Sequence, residues 1–255
     1  MHLMSVITIT FNDTEGLKST MDSLDLNQIE WIVVDGSSNK EDLLINRALL
    51  LDKKVIHIQD RDQGRFDAMN KGIEAASGEI ICFHNGGDRF ADANVPAMVI
   101  KSYSEIGWRW AVGDTTAVDQ HGNFLWSWPM PKHMSLKLQL GINSYCHQAT
   151  FMKTELMQSL GKFDVDSLYS DWYISLLASK VQKPHLLKLK TTDFLANGIS
   201  SQQSIDYWEK ESIKLRNRHG LTIFGSSLID RKLQEYAAKF ILTTRGQLIR
   251  PDLVE

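Results

Sequence analysis

Four apolar runs alternate with amphipathic segments near the start of the chain, and this alternation constrains the fold more than any other feature. The runs are rich in Val and Ile, as buried parallel strands are, and cover MSVITIT (4–10), IEWIVVDG (29–36), KVIHIQ (54–59) and EIICFH (79–84). The segments between them predict three helices, which start after Asn12-Asp13-Thr14 and end near Leu24, run from Asn39 to Leu51, and cover 66–77. This β-α-β-α-β-α-β order predicts an α/β fold with a doubly wound, mostly parallel sheet and right-handed crossovers.

The composition limits the kinds of protein that the chain can be. Its 255 residues suit one α/β domain or a domain with a small appendage, and 43% hydrophobic with 23% charged residues is ordinary for a soluble globular protein. A net charge of −3 gives no sign of a nucleic-acid binder. Two cysteines, Cys82 and Cys146, form no disulfide framework and indicate a reducing compartment. The chain has neither an apolar run of roughly 18 residues, as a membrane span needs, nor a recognisable signal peptide, so we expect a cytoplasmic protein.

Polar and acidic residues follow each predicted strand. Open α/β sheets bind ligands outside the carboxyl ends of their strands. Those ends are Thr10-Phe11-Asn12, Asp35-Gly36-Ser37, DRDQG (60–64) and NGGD (85–88). Core packing does not need acids there, and in a shared cleft they would repel one another unless a cation or hydrogen-bond donors lay between them. The pattern predicts a ligand site at this edge of the sheet.

The stretch Asn85-Gly86-Gly87-Asp88 has two interpretations. Asn-Gly and Gly-Gly are common turn dipeptides. Alternatively, glycines let the backbone approach a phosphate closely, and one carboxylate can hold a divalent cation against it. Two common nucleotide fingerprints are missing, because the first strand-helix turn, TFNDTEG, lacks G-x-G-x-x-G and the chain has no P-loop pattern.

Several segments, in this order and at these spacings, resemble the family 2 glycosyltransferases. They are SVITITFN, EWIVVDGSSN, DQGRFDAMNKGIEAASGEIICFHNGGD, CHQATF and SDWY. The likeness is greatest to bacterial enzymes that build O-antigen, capsule or colanic-acid-type polysaccharides. It is dense over 4–90, thinner over 108–200 and weak beyond about 220. The resemblance implies the GT-A fold, a Rossmann-like α/β architecture.

The resemblance also implies roles for individual residues. Asp35 would accept a hydrogen bond from the nucleotide base, typically an imide N–H of uracil, and Asp88 would be the surviving carboxylate of the D-x-D motif. Asp88 would hold Mn²⁺ or Mg²⁺, with His147 as a further ligand, and Asp171 would be the general base. The remaining implied contacts are a base pocket of Thr10, Phe11 and Asn12, a ribose and diphosphate contact from Asp67 and Asn70, and acceptor contacts from His147, Gln148 and Trp172.

The implied reaction is an inverting transfer from a nucleotide-diphospho-sugar to a hydroxyl of a glycan, free or lipid-linked, in bacterial surface polysaccharide synthesis. UDP-sugar is the default donor, with GDP- or TDP-sugar as alternatives. A cation neutralises the charge that grows on the leaving diphosphate. A carboxylate takes the proton of the attacking hydroxyl. One alternative is a catalytically degenerate sugar-nucleotide or glycan-binding module. Another is a sugar-1-phosphate nucleotidylyltransferase, which needs a basic, glycine-rich loop after the first strand. The segment there, FNDTEGLKST, is not such a loop.

Each implied role has a structural alternative. Asp35 and Asp88 fit turns, Asp67 fits an ordinary acid in the first turn of a helix, and Asp171 fits a helix cap. His147 fits a packed core or surface histidine. Among the tryptophans, Trp108 and Trp110 are expected in the core, and Trp126 and Trp128 in an exposed loop or hairpin.

The predicted organisation is a glycosyltransferase domain over 1–200 and a helical C-terminal extension, packed on it, over 201–255. Within the domain, 1–90 is the nucleotide-binding half and 91–200 the acceptor half. Residues 205–250 carry nine Lys or Arg against five Asp or Glu. Such a basic helical tail suits peripheral contact with anionic lipid at the inner face of the plasma membrane, or simply a packed helix with a solvated charged face.

Overall fold

The strands and helices follow the alternation that the sequence predicts. The computed structural model describes residues 3–128, 134–139, 145–196, 205–222, 228–230, 232–233 and 236. Its strands are β1 (Met4–Thr10), β2 (Glu30–Asp35), β3 (Val55–Gln59), β4 (Ile80–Phe83), β5 (Arg89–Phe90), β6 (Trp110–Val118), β7 (Phe124–Trp128), β8 (Thr150–Lys153) and β9 (His185–Leu195). Its helices are α1 (Thr14–Met21), α2 (Lys40–Leu50), α3 (Arg65–Ala75), α4 (Val95–Ile106), α5 (Met134–Gln139), α6 (Thr154–Leu160), α7 (Ser170–Val181) and α8 (Ile205–Arg218), with a 3₁₀ turn at His147–Ala149. The four predicted strands and three predicted helices are confirmed, each end lying within three residues of its predicted place.

The sheet is parallel in its first half and mixed beyond it. Its strand order is β3-β2-β1-β4-β8-β6-β9-β5, and β7 pairs with β6 outside this path. The pairs among β3, β2, β1 and β4 are parallel. Strand β8 runs antiparallel to both β4 and β6, whereas β6 and β9 are parallel. The predicted α/β class is therefore confirmed, and the carboxyl ends of the first four strands lie along one edge.

Helices cover both faces of this sheet, as the unbroken apolar runs require. Alternate residues of β1 and β2 pack into two separate hydrophobic clusters: Ile7 and Ile32 belong to one, Val6 and Val33 to the other. The first cluster includes apolar residues of α3, α6 and α7, and the second includes those of α1, α2 and α4. Strands buried on both faces have no polar alternation, which explains the near-continuous apolar runs.

The tryptophan expectations are confirmed where the structure describes them. Trp108 and Trp110 are buried, and each indole N–H donates, to Ser102 Oγ and to the Gln182 carbonyl respectively. The segment with Trp126 and Trp128 is β7, which forms an antiparallel hairpin with β6.

Helix α8 is tied to the domain through basic residues. Arg216 is buried with its guanidinium 5.2 Å from the centre of the Trp172 ring. Arg218 Nη1 donates to both carboxylate oxygens of Asp164 at 2.7 and 2.6 Å, and Glu211 accepts from Ser167 Oγ at 2.9 Å. Helix α8 is therefore packed on the domain, as one of the two alternatives for the basic tail predicts. The predicted domain boundary near 200 falls outside the described residues. None of the described helices is long and apolar enough to cross a bilayer.

Helix α3 approaches β1 so closely that Gly72 has no room for a side chain. A Cβ at position 72 would lie 2.3 Å from Cγ2 of the buried Ile7. Alanine normally stabilises a helix by about 1 kcal/mol relative to glycine. Here overpacking is expected to reverse that sign, so Gly72→Ala should lower the free energy of unfolding by about 1–3 kcal/mol in urea denaturation.

The matched control is Glu74→Ala on the exposed face of the same helix. It removes only a surface ion pair with Lys162, so its effect should stay within about 0.5 kcal/mol. Stabilisation by Gly72→Ala would contradict the close packing of α3 on β1.

Candidate active site

Asn12 joins the ends of β1 and β2. Its φ of 51° places it in the left-handed region, which asparagine tolerates. Its backbone N–H donates to Ser37 Oγ at 2.8 Å, and its side-chain oxygen accepts from the backbone N–H groups of Ser38 at 2.9 Å and Asn39 at 3.0 Å. The predicted base-pocket residue thus organises the loops on either side of the cleft.

The NGGD segment packs against α1. Gly87 N–H lies 2.9 Å from the Gly16 carbonyl and 3.0 Å from Thr20 Oγ1, and Thr20 Oγ1 donates to the Asn85 carbonyl at 3.1 Å. Gly87 has a φ of 93°, and a Cβ there would lie 2.4 Å from a Leu195 methyl carbon. Both the backbone conformation and the close approach to β9 therefore require glycine.

Asp88 is buried at the end of this segment. Its Oδ1 accepts from Leu195 N–H at 3.0 Å and its Oδ2 accepts from Asn85 N–H at 3.1 Å. Burial raises the pKa of Asp88 to about 7, against the opposing effect of hydrogen bonds from Leu195, Asn85 and Gln148. The carboxyl group therefore lies at the predicted cleft edge and changes charge near neutral pH.

Asp35 lies at the end of β2 and is 1% exposed. Burial acts to raise its pKa, but the imidazole of His57, 3.8 Å away, and donors from Ser37 and Asn46 outweigh it and lower the pKa to about 2. Ser37 N–H donates to Oδ1 at 2.9 Å and Asn46 Nδ2 donates to Oδ2 at 3.0 Å. Asp35 is thus ionised and held by protein donors on both oxygens.

The other predicted base-pocket residues lie at the end of β1. Thr10 is buried and its hydroxyl donates to the Asp13 carbonyl at 3.2 Å. Phe11 is 60% exposed, so its ring is open to a ligand at this edge. Position 11 supplies an aromatic surface, whereas Thr10 supports the following turn.

Asp62, in the loop between β3 and α3, is a carboxylate at this edge that was not among the predicted site residues. Asp62 Oδ1 accepts from Gly64 N–H at 2.9 Å, and a Cβ at Gly36 would lie 1.9 Å from Asp62 Oδ2. Asp62 therefore sits over the end of β2. Its one signal in the sequence was membership of the acidic segment 60–64 after the third strand.

The same loop is held to α3 by Lys71. Its ammonium lies 2.8 Å from Asp60 Oδ2 and 3.4 Å from Asp67 Oδ2, and it donates to the Arg61 carbonyl at 2.9 Å. Asp67 Oδ2 also accepts from Gln63 N–H at 3.0 Å. Asp67 is therefore a loop-ordering carboxylate in this structure, and its contact with ribose or diphosphate stays a prediction.

Asn70 makes a reciprocal pair with a distant backbone. Its Nδ2 donates to the Phe163 carbonyl at 3.0 Å, and its Oδ1 accepts from Phe163 N–H at 2.8 Å. Since the residue is also buried, the structure places it as a clamp between α3 and the segment that leads to α7. The contact of Asn70 with the donor stays a prediction.

His147 and Asp171 face one region from different elements. The imidazole of His147 stacks on Phe83 with ring centres 5.0 Å apart, and its Nε2 is buried with no hydrogen-bond partner in the described part of the chain. Burial lowers the pKa of His147, Asp171 acts to raise it and Arg65 to lower it. The structure thus brings the predicted base and the predicted histidine within electrostatic reach of each other.

Asp171 lies in the first turn of α7, where its Oδ1 accepts from Trp172 N–H at 2.9 Å. The N-cap residue of α7 is Tyr169, so the alternative that Asp171 is the helix cap is wrong. Gln148 is buried beside Asp88, and its Oε1 accepts from the Cys146 thiol at 3.0 Å. Gln148 therefore supports the Asp88 carboxyl group from the acceptor half.

Trp172 corrects one expectation. It is fully buried, its indole N–H donates to the Leu138 carbonyl at 3.1 Å, and its ring stacks on Tyr169 at 5.0 Å. Adjacency in sequence to Asp171 suggested an acceptor contact, but on a helix neighbouring residues point about 100° apart. Trp172 consequently faces the core, and in this structure it offers no surface to an acceptor.

The donor set for a metal ion is small. No group of three or more His, Cys, Asp or Glu side chains within the described ranges is arranged to hold a metal. Asp88 is the one predicted carboxylate ligand, and a carboxylate that accepts one hydrogen bond on each oxygen still has lone pairs to offer. These residues fit a cation shared with substrate phosphates and water, as Mg²⁺ sites often are, and do not fit an all-protein site.

Comparison with known proteins identifies the family. The family model "Glycosyl transferase family 2" matches residues 5–161, more than half of the chain. The chain belongs to glycosyl transferase family 2. It is 30% identical over 210 residues, 78% of each chain, to a Mycobacterium tuberculosis protein named as an uncharacterized glycosyltransferase. It is also 29% identical over 178 residues, 67% of each chain, to a Mycobacterium bovis BCG protein named as a PGL/p-HBAD biosynthesis glycosyltransferase.

Solved structures of glycosyltransferases share the fold of this family 2 member. S. aureus TarS 1–349 in complex with UDP-GlcNAc matches 97% of this chain and 75% of its own, with a TM-score of 0.65 at 14% identity. The Pyrobaculum calidifontis mannosyltransferase PcManGT, in complex with GDP-Man and Mn²⁺, matches 98% of this chain and 81% of its own, with a TM-score of 0.59. The predicted GT-A fold is confirmed.

The buried Asp88 predicts a pH-dependent stability. Its pKa of about 7 lies above the ordinary 3.8, so between these values the folded state keeps a proton that the unfolded state has lost. The stabilisation is therefore present at low pH and is lost as pH rises through about 7. Relative to Asp88→Asn, the wild-type free energy of unfolding should fall by on the order of 2 kcal/mol between about pH 5 and pH 8. Urea denaturation without nucleotide or metal measures this difference, and parallel pH profiles for the two proteins would contradict it.

Proposed function

We propose that the protein is an inverting glycosyltransferase that moves a sugar from a nucleotide-diphospho-sugar to a hydroxyl group of a glycan acceptor. The observation that carries the proposal is the convergence of the loops after β1, β2 and β4, held by the contacts of Asn12 and Gly87. Ligands of parallel sheets bind at this edge. Family membership supports sugar transfer, and the UDP-GlcNAc and GDP-Man complexes of similar structures support a nucleotide sugar as donor.

The donor half of the proposed site combines an aromatic surface with a glycine backbone. The exposed ring of Phe11 would cover one face of the base. Gly86 and Gly87, with no side chains, let a diphosphate approach the end of β4. UDP-sugar is the default donor and GDP- or TDP-sugar the alternatives.

Asp88 would hold a divalent cation against the diphosphate of the donor. When bound, Mn²⁺ or Mg²⁺ would neutralise the negative charge that grows on the leaving diphosphate. Asp88 would have to be ionised to hold it, and its pKa of about 7 makes the carboxylate accessible at neutral pH. His147 is a weaker candidate ligand, because its Nε2 is buried against protein in this conformation.

Asp171 is the proposed catalytic base. The acceptor hydroxyl attacks C1 of the sugar, the C1–O bond to the diphosphate breaks, and the hydroxyl proton passes to the Asp171 carboxylate. Because the nucleophile enters opposite the leaving group, the configuration at C1 inverts. Loop contacts from both sides support this placement: Asn70 holds Phe163, and Ser170 Oγ accepts from Asp164 N–H at 2.6 Å just before Asp171.

The acceptor is proposed to be a growing surface glycan, free or lipid-linked. The proposal rests on membership of the family and on the likeness to a Mycobacterium bovis BCG protein named as a PGL/p-HBAD biosynthesis glycosyltransferase. Contact with the membrane would then fall to the chain after α8, since Arg216 and Arg218 of α8 bond within the domain.

The Asp171→Asn variant tests the proposal against a non-catalytic binding module. Loss of the base should lower turnover by about 10²–10⁴-fold, whereas donor affinity should stay nearly unchanged because Asp171 contacts the acceptor. Asp88→Ala should instead weaken Mn²⁺-dependent donor binding, because it removes the proposed metal ligand. The measurements are steady-state transfer or donor hydrolysis and donor titration with and without Mn²⁺.

The control is Asp166→Asn in the exposed part of the same segment. It removes a charge near Asp171 without removing the base, so turnover should change little. Unchanged turnover in Asp171→Asn would refute the base assignment, and donor binding without any transfer or hydrolysis by the wild type would favour the binding module.

A further inference from the structure

Asp35 is poorly placed to recognise a base. Its 1% exposure leaves no surface for a ligand. Both of its oxygens already accept hydrogen bonds, from Ser37 N–H and Asn46 Nδ2, and His57 lies 3.8 Å away. Breaking such charge-assisted hydrogen bonds would cost more than a new bond to a base would return. Asp35 instead fixes the chain between β2 and α2.

Asp62 occupies the place that a side chain at position 36 would take. A Cβ built on Gly36 would lie 1.9 Å from Asp62 Oδ2 and 2.8 Å from its carboxyl carbon. Gly36 is itself paired with the first strand, because its N–H donates to the Thr10 carbonyl at 3.0 Å. The Asp62 carboxylate therefore projects into the corner between the ends of β1 and β2.

One oxygen of Asp62 is held and the other is available. Oδ1 accepts from Gly64 N–H at 2.9 Å, which orients the carboxylate. Among the residues that the structure describes, none donates a hydrogen bond to Oδ2, and the side chain is partly exposed. The carboxylate is thus held in one orientation, and its Oδ2 can accept a hydrogen bond from a ligand.

Phe11 follows β1 in the chain at this corner. It directly follows Thr10, whose carbonyl binds Gly36, and it is 60% exposed. An aromatic face stacks on any base, whereas a carboxylate accepts only from bases with a ring N–H or an amino group directed at it. Uracil and thymine present N3–H and guanine presents N1–H with its amino group, whereas cytosine has an acceptor nitrogen at the position of the uracil N3–H, where a carboxylate would repel it.

We propose that Asp62, in place of Asp35, recognises the nucleobase of the sugar donor by accepting a hydrogen bond from its ring N–H, with Phe11 stacked on the base. The inference rests on the proposed function, because it assumes a nucleotide-sugar donor. It assigns base specificity to the β3–α3 loop. Asp62, which lies over Gly36, provides the carboxylate for the base, because the buried Asp35 at the end of β2 cannot reach a ligand.

The experiment measures dissociation constants for UDP, TDP, GDP and CDP, with inorganic pyrophosphate as a base-free reference. CDP carries the same diphosphate as the others, so the ratio of affinities isolates the base. The variants are Asp62→Ala, Asp35→Asn, and Asp62→Ala combined with Gly36→Asp. Asp60→Asn, which removes a neighbouring carboxylate bound to Lys71, is the matched control for charge.

The wild type should bind one of UDP, TDP and GDP at least about 10-fold more tightly than CDP, since a hydrogen bond to a charged group is worth this much. Asp62→Ala should abolish that preference with little change for pyrophosphate, and Asp60→Asn should retain it. The double variant should restore much of the preference, because it returns a carboxylate to the same corner. Gly36 has no left-handed φ that would exclude a side chain. A purely structural role for Asp62 would not predict this rescue.

Four results would overturn the inference. A preference that survives in Asp62→Ala would do so, as would its loss in a folded Asp35→Asn protein that keeps Asp62. If Asp62→Ala does not fold, the double variant decides, and absence of the preference there counts against Asp62. If the wild type binds pyrophosphate and no nucleoside diphosphate more tightly, the proposed donor class fails, and the assignment of Asp62 fails with it.

Discussion

Parallel pairing of β1 with both β2 and β4 is the constraint on which the rest of the structure depends. Thr10 lies opposite Asp35 and Ile7 lies opposite Phe83 in the register of these strands. The pairing fixes three chain reversals at one edge of the sheet. Because the parallel strands end at this edge, the loops that follow them lie there together. The position of the candidate site is therefore a consequence of the sheet topology.

Two buried carboxyl groups at this edge behave in opposite ways. Ser37 and Asn46 donate to Asp35, His57 lies 3.8 Å from it, and its pKa falls to about 2, whereas burial raises the pKa of Asp88 to about 7 despite two backbone donors. Asp35 is therefore a permanent charge that stabilises the fold above the pH at which it ionises. Asp88 gains or loses its proton near neutral pH, which suits a group whose charge is needed only when a cation and a diphosphate are present.

Much of the fold could be predicted from the sequence, because strand and helix periodicities are local. The same holds for the cap of α1 within Asn12-Asp13-Thr14, which is Asp13, and for the glycines of NGGD. Contacts between distant segments could not be predicted: the pairing of the Asn70 amide with the Phe163 backbone joins residues 93 positions apart. Likewise the contact between Trp172 and Arg216 joins two helices far apart in the chain. Asp62 was hidden in an acidic segment because its position over Gly36 arises only when β2 and β3 lie side by side.

Hydrogen–deuterium exchange with and without a saturating nucleoside diphosphate and Mn²⁺ tests the central claim most directly, namely that the loops after the first four strands form the donor site. Exchange should slow at the backbone amides of residues 10–16, 36–39, 62–64 and 85–88, with little change in α2 or along the edge strand β3. Slower exchange confined to other segments, with these four loops unaffected, would contradict it.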